Sequence, residues 1–356
     1  MPSLTDVIGD KYRVDAIVGR GGMSVVYRAT HLQMDQVVAL KVLSPEALAV
    51  PEYVQRLKHE ARTASRIKSE HVVRVFDVGE LPNGAPYLVM EHLDGLDFSG
   101  VIAKHGPVSI ELAILCVLQM CEALAEAHAH GIIHRDLKPA NLFLTENVDG
   151  TPCVKILDFG ISRARSELSP LTDPGVVLGT PSYMAPEQME AGDAIDARSD
   201  IWALGALLYE LLVGKAAYKG ESLPQIFVKI MRSDAPCPSA HRRGVPPELD
   251  AIVARCMAIE PEDRFQSVAE LARALAELGG ERELESAQRT ERVLERRRTS
   301  MPPLVKRRRR RANVRLAKTL LAAAAALAVG GVIGLAMLEP HAPAAEAAAA
   351  AVPLPR

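Results

Sequence analysis

Apolar and polar positions alternate through much of the first hundred residues of the chain. Tyr12–Gly19, Val25–Thr30, Val37–Leu43, Val72–Val78 and Pro86–Glu91 carry the short-period rhythm or compact apolar run of strands. Between the third and fourth of these the period changes. Over about Glu52–Lys68, Tyr53, Leu57, Ala64 and Ile67 form one apolar stripe, which predicts an amphipathic helix. From Ser109 onward the rhythm is mostly helical, beginning with an apolar run to His130 that Gly131 can cap. The Pro-rich stretch Ala235–Pro247 resembles a linker. Helical spacing resumes directly after it at Leu249, Ile252, Val253 and Cys256, so it reads as an internal loop. Strands first and helices later predict an α+β chain, with a small sheet-based lobe joined to a larger helical one.

Charge divides the chain further. The net formal charge of −2 hides 27 Lys/Arg against 37 Asp/Glu in residues 1–280 and 14 against 5 in residues 281–318. An acidic globular part followed by a basic stretch points to segments that face different surroundings. The five cysteines, at 116, 121, 153, 237 and 256, include no CxxC pair, which argues against a disulfide framework or a zinc site and for a reducing compartment. Met1–Asp10 has neither the basic nor the apolar region of a signal peptide.

The candidate chemistry begins at a glycine-rich turn, Val18-Gly19-Arg20-Gly21-Gly22-Met23-Ser24-Val25-Val26, between two strands. Glycines let a backbone approach a polyphosphate closely, although such turns also close ordinary hairpins. Ser24 stands where GxGxxG has its third glycine, and no helix follows, which disfavours a dinucleotide-binding fingerprint. In the next strand Lys41 shares a face with Val37, Ala39 and Leu43. A buried ammonium needs an anion. Glu60 lies in the apolar stripe of the following helix, so the two inward-facing charges most simply pair.

Three further segments follow in order: His134-Arg135-Asp136-Leu137-Lys138-Pro139-Ala140-Asn141, then Asp158-Phe159-Gly160, then Ala185-Pro186-Glu187, 25 residues after Gly160. Each is short, but their joint order downstream of the glycine turn and a VALK strand is specific. The chain resembles the eukaryotic-type protein kinases over roughly residues 12–278. HRDLKPAN is similar to the serine/threonine branch, and GRGGMSVVYRA, GTPSYMAPEQ and PEDRFQS look most like the bacterial membrane-anchored Ser/Thr kinases.

That resemblance implies a two-lobed kinase fold and transfer of the ATP γ-phosphate to protein Ser/Thr hydroxyls, with Mg2+ or Mn2+ as cofactor. Asp136 would orient the hydroxyl and take its proton, and Lys138 would lie near the γ-phosphate. Lys41, held by Glu60, would contact the α- and β-phosphates. Asp158 and Asn141 would hold the metals. Residues 18–26 would cover the nucleotide, with Val26 and Ala39 packed on the adenine. Glu91 and Leu93 would give backbone contacts to adenine beside Met90, and Asp97 would bond the ribose. Asp200 and Trp202, like Glu187 and Arg264, take structural roles. Arg135 would pair with a phosphorylated loop, with Thr172 the preferred autophosphorylation site and Thr180 architectural.

Thr319–Leu338 is a run of 20 uncharged residues, seven of them Ala, long enough to cross a bilayer. Lys306-Arg307-Arg308-Arg309-Arg310-Arg311, with Arg315 and Lys318, precede it, so the positive-inside rule puts the kinase part in the cytoplasm, at the inner membrane, as a single-pass protein. The order expected is a kinase domain at 12–278, a basic juxtamembrane linker at 279–318, a transmembrane helix at 319–338 and a short Ala/Pro-rich extracytoplasmic tail at 339–356. Beside an apolar 20-mer the basic run reads as a lipid-headgroup contact and not as a nucleic-acid patch. Ala326, Gly330 and Gly334 form a small-residue row through which two helices could pair as a homodimer. Two competing readings are a membrane-anchored pseudokinase scaffold and a small-molecule phosphotransferase. The intact set of Lys41, Glu60, Asp136, Asn141 and Asp158 weighs against the first, and GTPSYMAPEQ against the second.

Overall fold

The computed structural model describes residues 2–159, 181–189, 195–220, 222–232 and 236–300, with backbone alone over 297–300. The first lobe is an antiparallel sheet of β1 (Val7–Ile8), β2 (Tyr12–Arg20), β3 (Ser24–His31), β4 (Gln36–Leu43), β5 (Val75–Glu80) and β6 (Pro86–Glu91). Their spatial order is β1-β2-β3-β4-β6-β5. Strand alternation sorts the side chains onto two faces. Val14, Tyr27, Val38, Leu40, Val42 and Val89 pack on one face. Leu43 and Leu88 pack on the other, against Leu57 and Ala61 of a helix. β4 is thus buried on both sides, and the face it shares with that helix is the one that carries Lys41.

Two helices interrupt this sheet. The short α1 (Pro45–Leu48), capped by Ser44, is too brief for a periodicity to reveal. The helix packed on the sheet, α2 (Pro51–Ala64), ends one turn before the expected Lys68. Ile67 is the reason: it leaves the stripe and enters the core of the larger lobe. β5 likewise starts at Val75 and not at Val72, because Val72 bridges to Ile156 of the larger lobe.

A second sheet, β7 (Gly95–Asp97), β8 (Leu142–Glu146) and β9 (Pro152–Ile156), lies against the helical lobe, with β8 in its middle. That lobe holds α3 (Phe98–His105), α4 (Ile110–Ala129), α5 (Pro186–Met189), α6 (Ala197–Val213), α7 (Leu223–Arg232), α8 (Pro247–Cys256), α9 (Val268–Ala276) and α10 (Glu281–Ser300). Ser109 caps α4, accepting from the Leu112 N–H at 3.1 Å, and Gly131 leaves the helix end at φ 72°. α4 and α6 are apolar around most of their circumference, as helices at the centre of a core must be. Gly205 lets α6 meet α8: a Cβ there would stand 2.4 Å from the Cβ of Cys256. Cys116, Cys121, Cys153 and Cys256 are buried free thiols, and Cys237 is exposed.

The segment that its charge marks as linker begins with a helix. α10 buries Ser286, Ala287 and Thr290, and packs Val293 and Leu294 against the core. The remainder of the basic run, the uncharged 319–338 and the tail lie outside the described residues. Among the described residues no helix is long and apolar enough to cross a membrane.

One buried ion pair closes the lower lobe. Arg264, fully buried, donates from both terminal nitrogens to the Glu187 carboxylate at 2.8 Å each. It also donates to the Ala258, Ile259 and Arg198 carbonyls and stacks 5.1 Å over Trp202. Burial pushes the Glu187 carboxyl up, but Arg264 and the Ser199 hydroxyl outweigh it and hold its pKa low. Removing one partner strands the other charge. Arg264→Leu is therefore expected to cost about 3 kcal/mol of stability in urea unfolding, and Glu187→Gln less, since an amide still accepts hydrogen bonds.

Candidate active site

Lys41 projects from β4 toward α2 and the chain beyond β9. Its Nζ lies 2.8 Å from Glu60 Oε1 and 2.8 Å from Asp158 Oδ1. The lysine and glutamate side chains are 11% and 12% exposed, so solvent does little to relieve the crowding of two carboxylates around one ammonium. Burial would push the Lys41 pKa down, but Asp158 and Glu60 overcome it and raise it above the ordinary lysine value. Burial and the neighbouring Asp158 charge push the Glu60 carboxyl up to about 8, against the pull of Lys41. Burial also opposes ionisation of Asp158, yet Lys41 prevails and lowers its pKa to about 2. The trio thus holds one fixed positive charge, one firm carboxylate and one carboxyl whose pKa is raised.

The second cluster sits on the loop between α4 and β8. Asp136 Oδ2 accepts from Lys138 Nζ at 2.8 Å and from Asn141 Nδ2 at 3.2 Å. The same Asn141 amide donates to the Asp136 carbonyl at 2.9 Å, which closes the loop on itself. Arg135 holds the left-handed φ of 67°, a strained backbone for a long side chain. What holds it is Asp200 at the start of α6. Its buried carboxylate accepts from the His134 and Arg135 N–H groups at 2.9 Å each, and meets His128 Nε2 at 2.8 Å. Burial raises the cost of that charge, but His128, the His134 ring and the Arg135 N–H outweigh it, so the Asp200 pKa is lowered.

His134 stands between the clusters. Burial lowers its pKa and keeps it neutral, although Asp200, Asp136 and Asp158 all pull the other way. Its ring lies 4.9 Å from that of Phe159. The glycine turn joins β2 to β3, and β3 pairs Ser24 with Leu43 and Val26 with Lys41, so the turn lies at the end of β4 just past the lysine. The turn is closed by Gly21 N–H donating to the Ser24 carbonyl at 2.8 Å, and nothing lies within 4 Å of a Cβ at Gly22.

Other sequence-selected positions have further partners. Glu91, chosen for its backbone, also uses its carboxylate: Lys155 of β9 donates to both oxygens at 2.9 and 3.2 Å, and the Arg74 N–H donates at 2.8 Å. Asp97 Oδ1 caps α3 by accepting from Gly100 N–H at 2.7 Å. Leu93 lies in the connection between β6 and β7. Thr172, Thr180 and Gly160 lie outside the described residues.

Sequence reasoning passed over His128, Gln188, Ser199 and Lys155. Gln188 Nε2 donates to the Arg135 carbonyl at 2.9 Å, and Ser199 Oγ donates to Glu187 at 2.7 Å. The available signal for His128 was a histidine in the last turn of a largely apolar helix. Lys155 was equally visible, as a lone charge in a buried strand.

Comparison with known proteins agrees with this geometry. The family description "Protein kinase domain" matches residues 12–274. The serine/threonine-protein kinase PknB of Mycolicibacterium smegmatis is 39% identical over 268 residues, spanning 74% of this chain and 42% of that protein. Serine/threonine-protein kinase Pkn1 of Myxococcus xanthus is 39% identical over 279 residues, spanning 78% and 40%. The chain therefore spans less than half the length of these curated relatives. The solved kinase domain of Mycobacterium tuberculosis PknI superposes with a TM-score of 0.61 at 30% identity, over 78% of this chain and all of that one.

The raised Glu60 carboxyl has a testable sign. Its folded pKa of about 8 exceeds the ordinary 4.5, so the stabilisation it contributes is complete below about 4.5 and is lost as pH rises through about 8. Glu60→Gln imitates the protonated form. In metal-free, nucleotide-free protein the variant should gain on the native chain by about 4 kcal/mol between pH 5 and pH 9, read by urea unfolding. An equal difference at both pH values would show that Glu60 is ionised throughout.

Proposed function

We propose, on the premise that this chain belongs to the protein kinase family, that it is a serine/threonine protein kinase that moves the γ-phosphate of ATP to protein hydroxyls. One observation carries the reading: the Lys41–Glu60–Asp158 trio and the Asp136–Lys138–Asn141 loop are both assembled, around a shared neutral His134. A scaffold without catalysis has no need for either.

Each residue has a task that its geometry supports. Asp136 aligns the acceptor hydroxyl and takes its proton, its carboxylate steadied by Lys138 and Asn141. Lys138 offsets charge on the transferring group. Lys41, fixed by Glu60, meets the α- and β-phosphates, and the N–H groups of residues 18–26 cover them. The donor set suits a hard divalent cation such as Mg2+ or Mn2+: Asp158 is a firm carboxylate, and the Asn141 amide nitrogen is held by Asp136, which leaves its oxygen as the donor. When bound, such a cation neutralises the phosphates. Val26 and Ala39 pack on the adenine, with Glu91 and Leu93 at its edge and Asp97 at the ribose. Selectivity for Ser/Thr is supported by the HRDLKPAN segment, and protein substrates by GTPSYMAPEQ. Thr172 is the autophosphorylation site, with Arg135 as its partner.

The kinase domain at 12–278 is cytoplasmic and tied to the inner membrane by 319–338. This is supported by the length and lack of charge of that run and by the basic residues ahead of it. The linker 279–318 is helical at its start, the tail 339–356 is extracytoplasmic, and the row Ala326, Gly330, Gly334 favours a homodimer within the bilayer.

Two measurements test this reading. With Mg-ATP, the full chain should label its own serines and threonines, Thr172 among them in phosphopeptide maps. Asp136→Asn and Lys41→Met should each lose at least about a hundredfold in rate. Equal labelling in all three proteins would overturn the assignment. Separately, the full chain should sediment with membranes and resist extraction by alkaline carbonate. A chain lacking 319–338 should be released, and release of both would remove the anchor.

A further inference from the structure

Helix α10 begins beyond the residues that match the kinase family, which end at 274, yet it is packed into the helical lobe. Its inner face, Ser286, Ala287, Thr290, Val293 and Leu294, has the spacing of one side of a helix. Thr290 is wholly buried, and its hydroxyl donates to the Ser286 carbonyl at 3.0 Å. The docking is specific as well as apolar. Glu122 of α4, whose side chain is 10% exposed, accepts from Ser286 Oγ at 2.5 Å and from Arg289 at 2.9 and 3.0 Å.

One turn farther along the same face of α4 stands Glu126. Its carboxylate accepts the Lys68 N–H at 2.8 Å, at the start of the connection between α2 and β5. That connection is stitched onward to β9: the His71 ring meets the Val154 carbonyl at 3.1 Å, and Ile156 N–H donates to the His71 carbonyl at 2.9 Å. One end of the connection continues from α2, which carries Glu60, and its β9 partner leads to Asp158. A cavity of about 380 Å³ separates it from α10, lined by Lys68, Ser69, Glu70, Glu126, Arg289 and Arg292 among others. α10 and the α2–β5 connection thus rest on successive glutamates of α4, and that connection is continuous with the helix bearing Glu60 and bonded to the strand that leads to Asp158.

We propose that α10 is a positioning element of the catalytic site, and that Arg289, acting through Glu122, is its principal positioning residue. Docked, α10 completes the α4 face against which the α2–β5 connection is held. Undocked, it leaves Glu122 without its cation, loosens that connection and lowers the fraction of chains in which Glu60 and Asp158 flank Lys41. Because only the competent fraction binds nucleotide productively, the loss falls on the apparent affinity for Mg-ATP and not on the rate at saturation. The inference rests on the kinase reading above. It makes the catalytic site responsive to whatever pulls on the residues that follow Ser300.

The test compares the full chain with Arg289→Glu and with the exchange Glu122→Arg/Arg289→Glu, at a temperature well below unfolding. Arg289→Glu should raise the KM for Mg-ATP at least threefold with kcat within twofold. It should also speed hydrogen exchange both at amides 286–294 and at amides 68–72. The exchange variant should restore KM and both sets of protection to within twofold. If amides 286–294 stay protected in Arg289→Glu, Ala287→Glu supplies the undocking and is read in the same way. Undocking with KM and amides 68–72 unchanged overturns the proposal, and so does a raised KM that the exchange variant does not rescue. Should the native chain transfer no phosphate at all, the kinase reading fails separately, and protection at amides 68–72 alone decides the role of α10.

Discussion

The site is organised by a shortage of positive charge. A single ammonium, on a strand buried from both sides, stands between two carboxylates that come from a helix and from the end of another strand. Neither carboxylate can leave without exposing the lysine to an apolar environment, and the lysine cannot leave without setting the carboxylates against each other. The position of α2 on the sheet, the approach of β9 to β4, and hence the relation of the small lobe to the large one, are tied to this arrangement. The surplus negative charge falls on Glu60, whose carboxyl burial and the Asp158 charge push up. A cation arriving near Asp158 changes that balance, which makes the trio a receiver for charge as well as a clamp.

The opposite design operates in the lower lobe. There a single buried anion, Asp200, serves three donors, and its task is to hold a backbone that would not hold itself. The left-handed φ at Arg135 stores strain that the Asp200 hydrogen bonds offset, and Gln188 grips the carbonyl of the same residue from the other side. The loop bearing Asp136 is thereby shaped before any substrate arrives, consistent with a site that works by prior positioning.

Much of this was legible in the residues, for identifiable reasons. Lys41 and Glu60 could be paired in advance because each breaks an apolar pattern, and two such breaks facing each other have one economical solution. The strands were readable because burial on one face gives alternation and burial on both faces, as in β4, gives a compact apolar run. The helix end at Ala64 was not, because Ile67 continues the stripe and departs only when a second core competes for it. Likewise Glu91 was assigned by its backbone alone, since nothing local predicts that Lys155, 64 residues later, arrives at its carboxylate. The helical character of 281–300 was hidden by its charge: eleven of its residues are Arg or Glu, and the buried face includes Ser286 and Thr290, which hydropathy does not count as core.

The distribution of sulfur has a practical side. Burial removes Cys116, Cys121, Cys153 and Cys256 from solvent and raises their pKa values, so these thiols are poor nucleophiles in the folded chain. Cys237 is the exposed exception, in the loop between α7 and α8. A maleimide dye or spin label should therefore attach at one address without any engineering of the sequence, and its signal would report on the helical lobe from outside the nucleotide cleft. The same arithmetic makes alkylation a gauge of integrity: a second equivalent of reagent is consumed only when the core has opened.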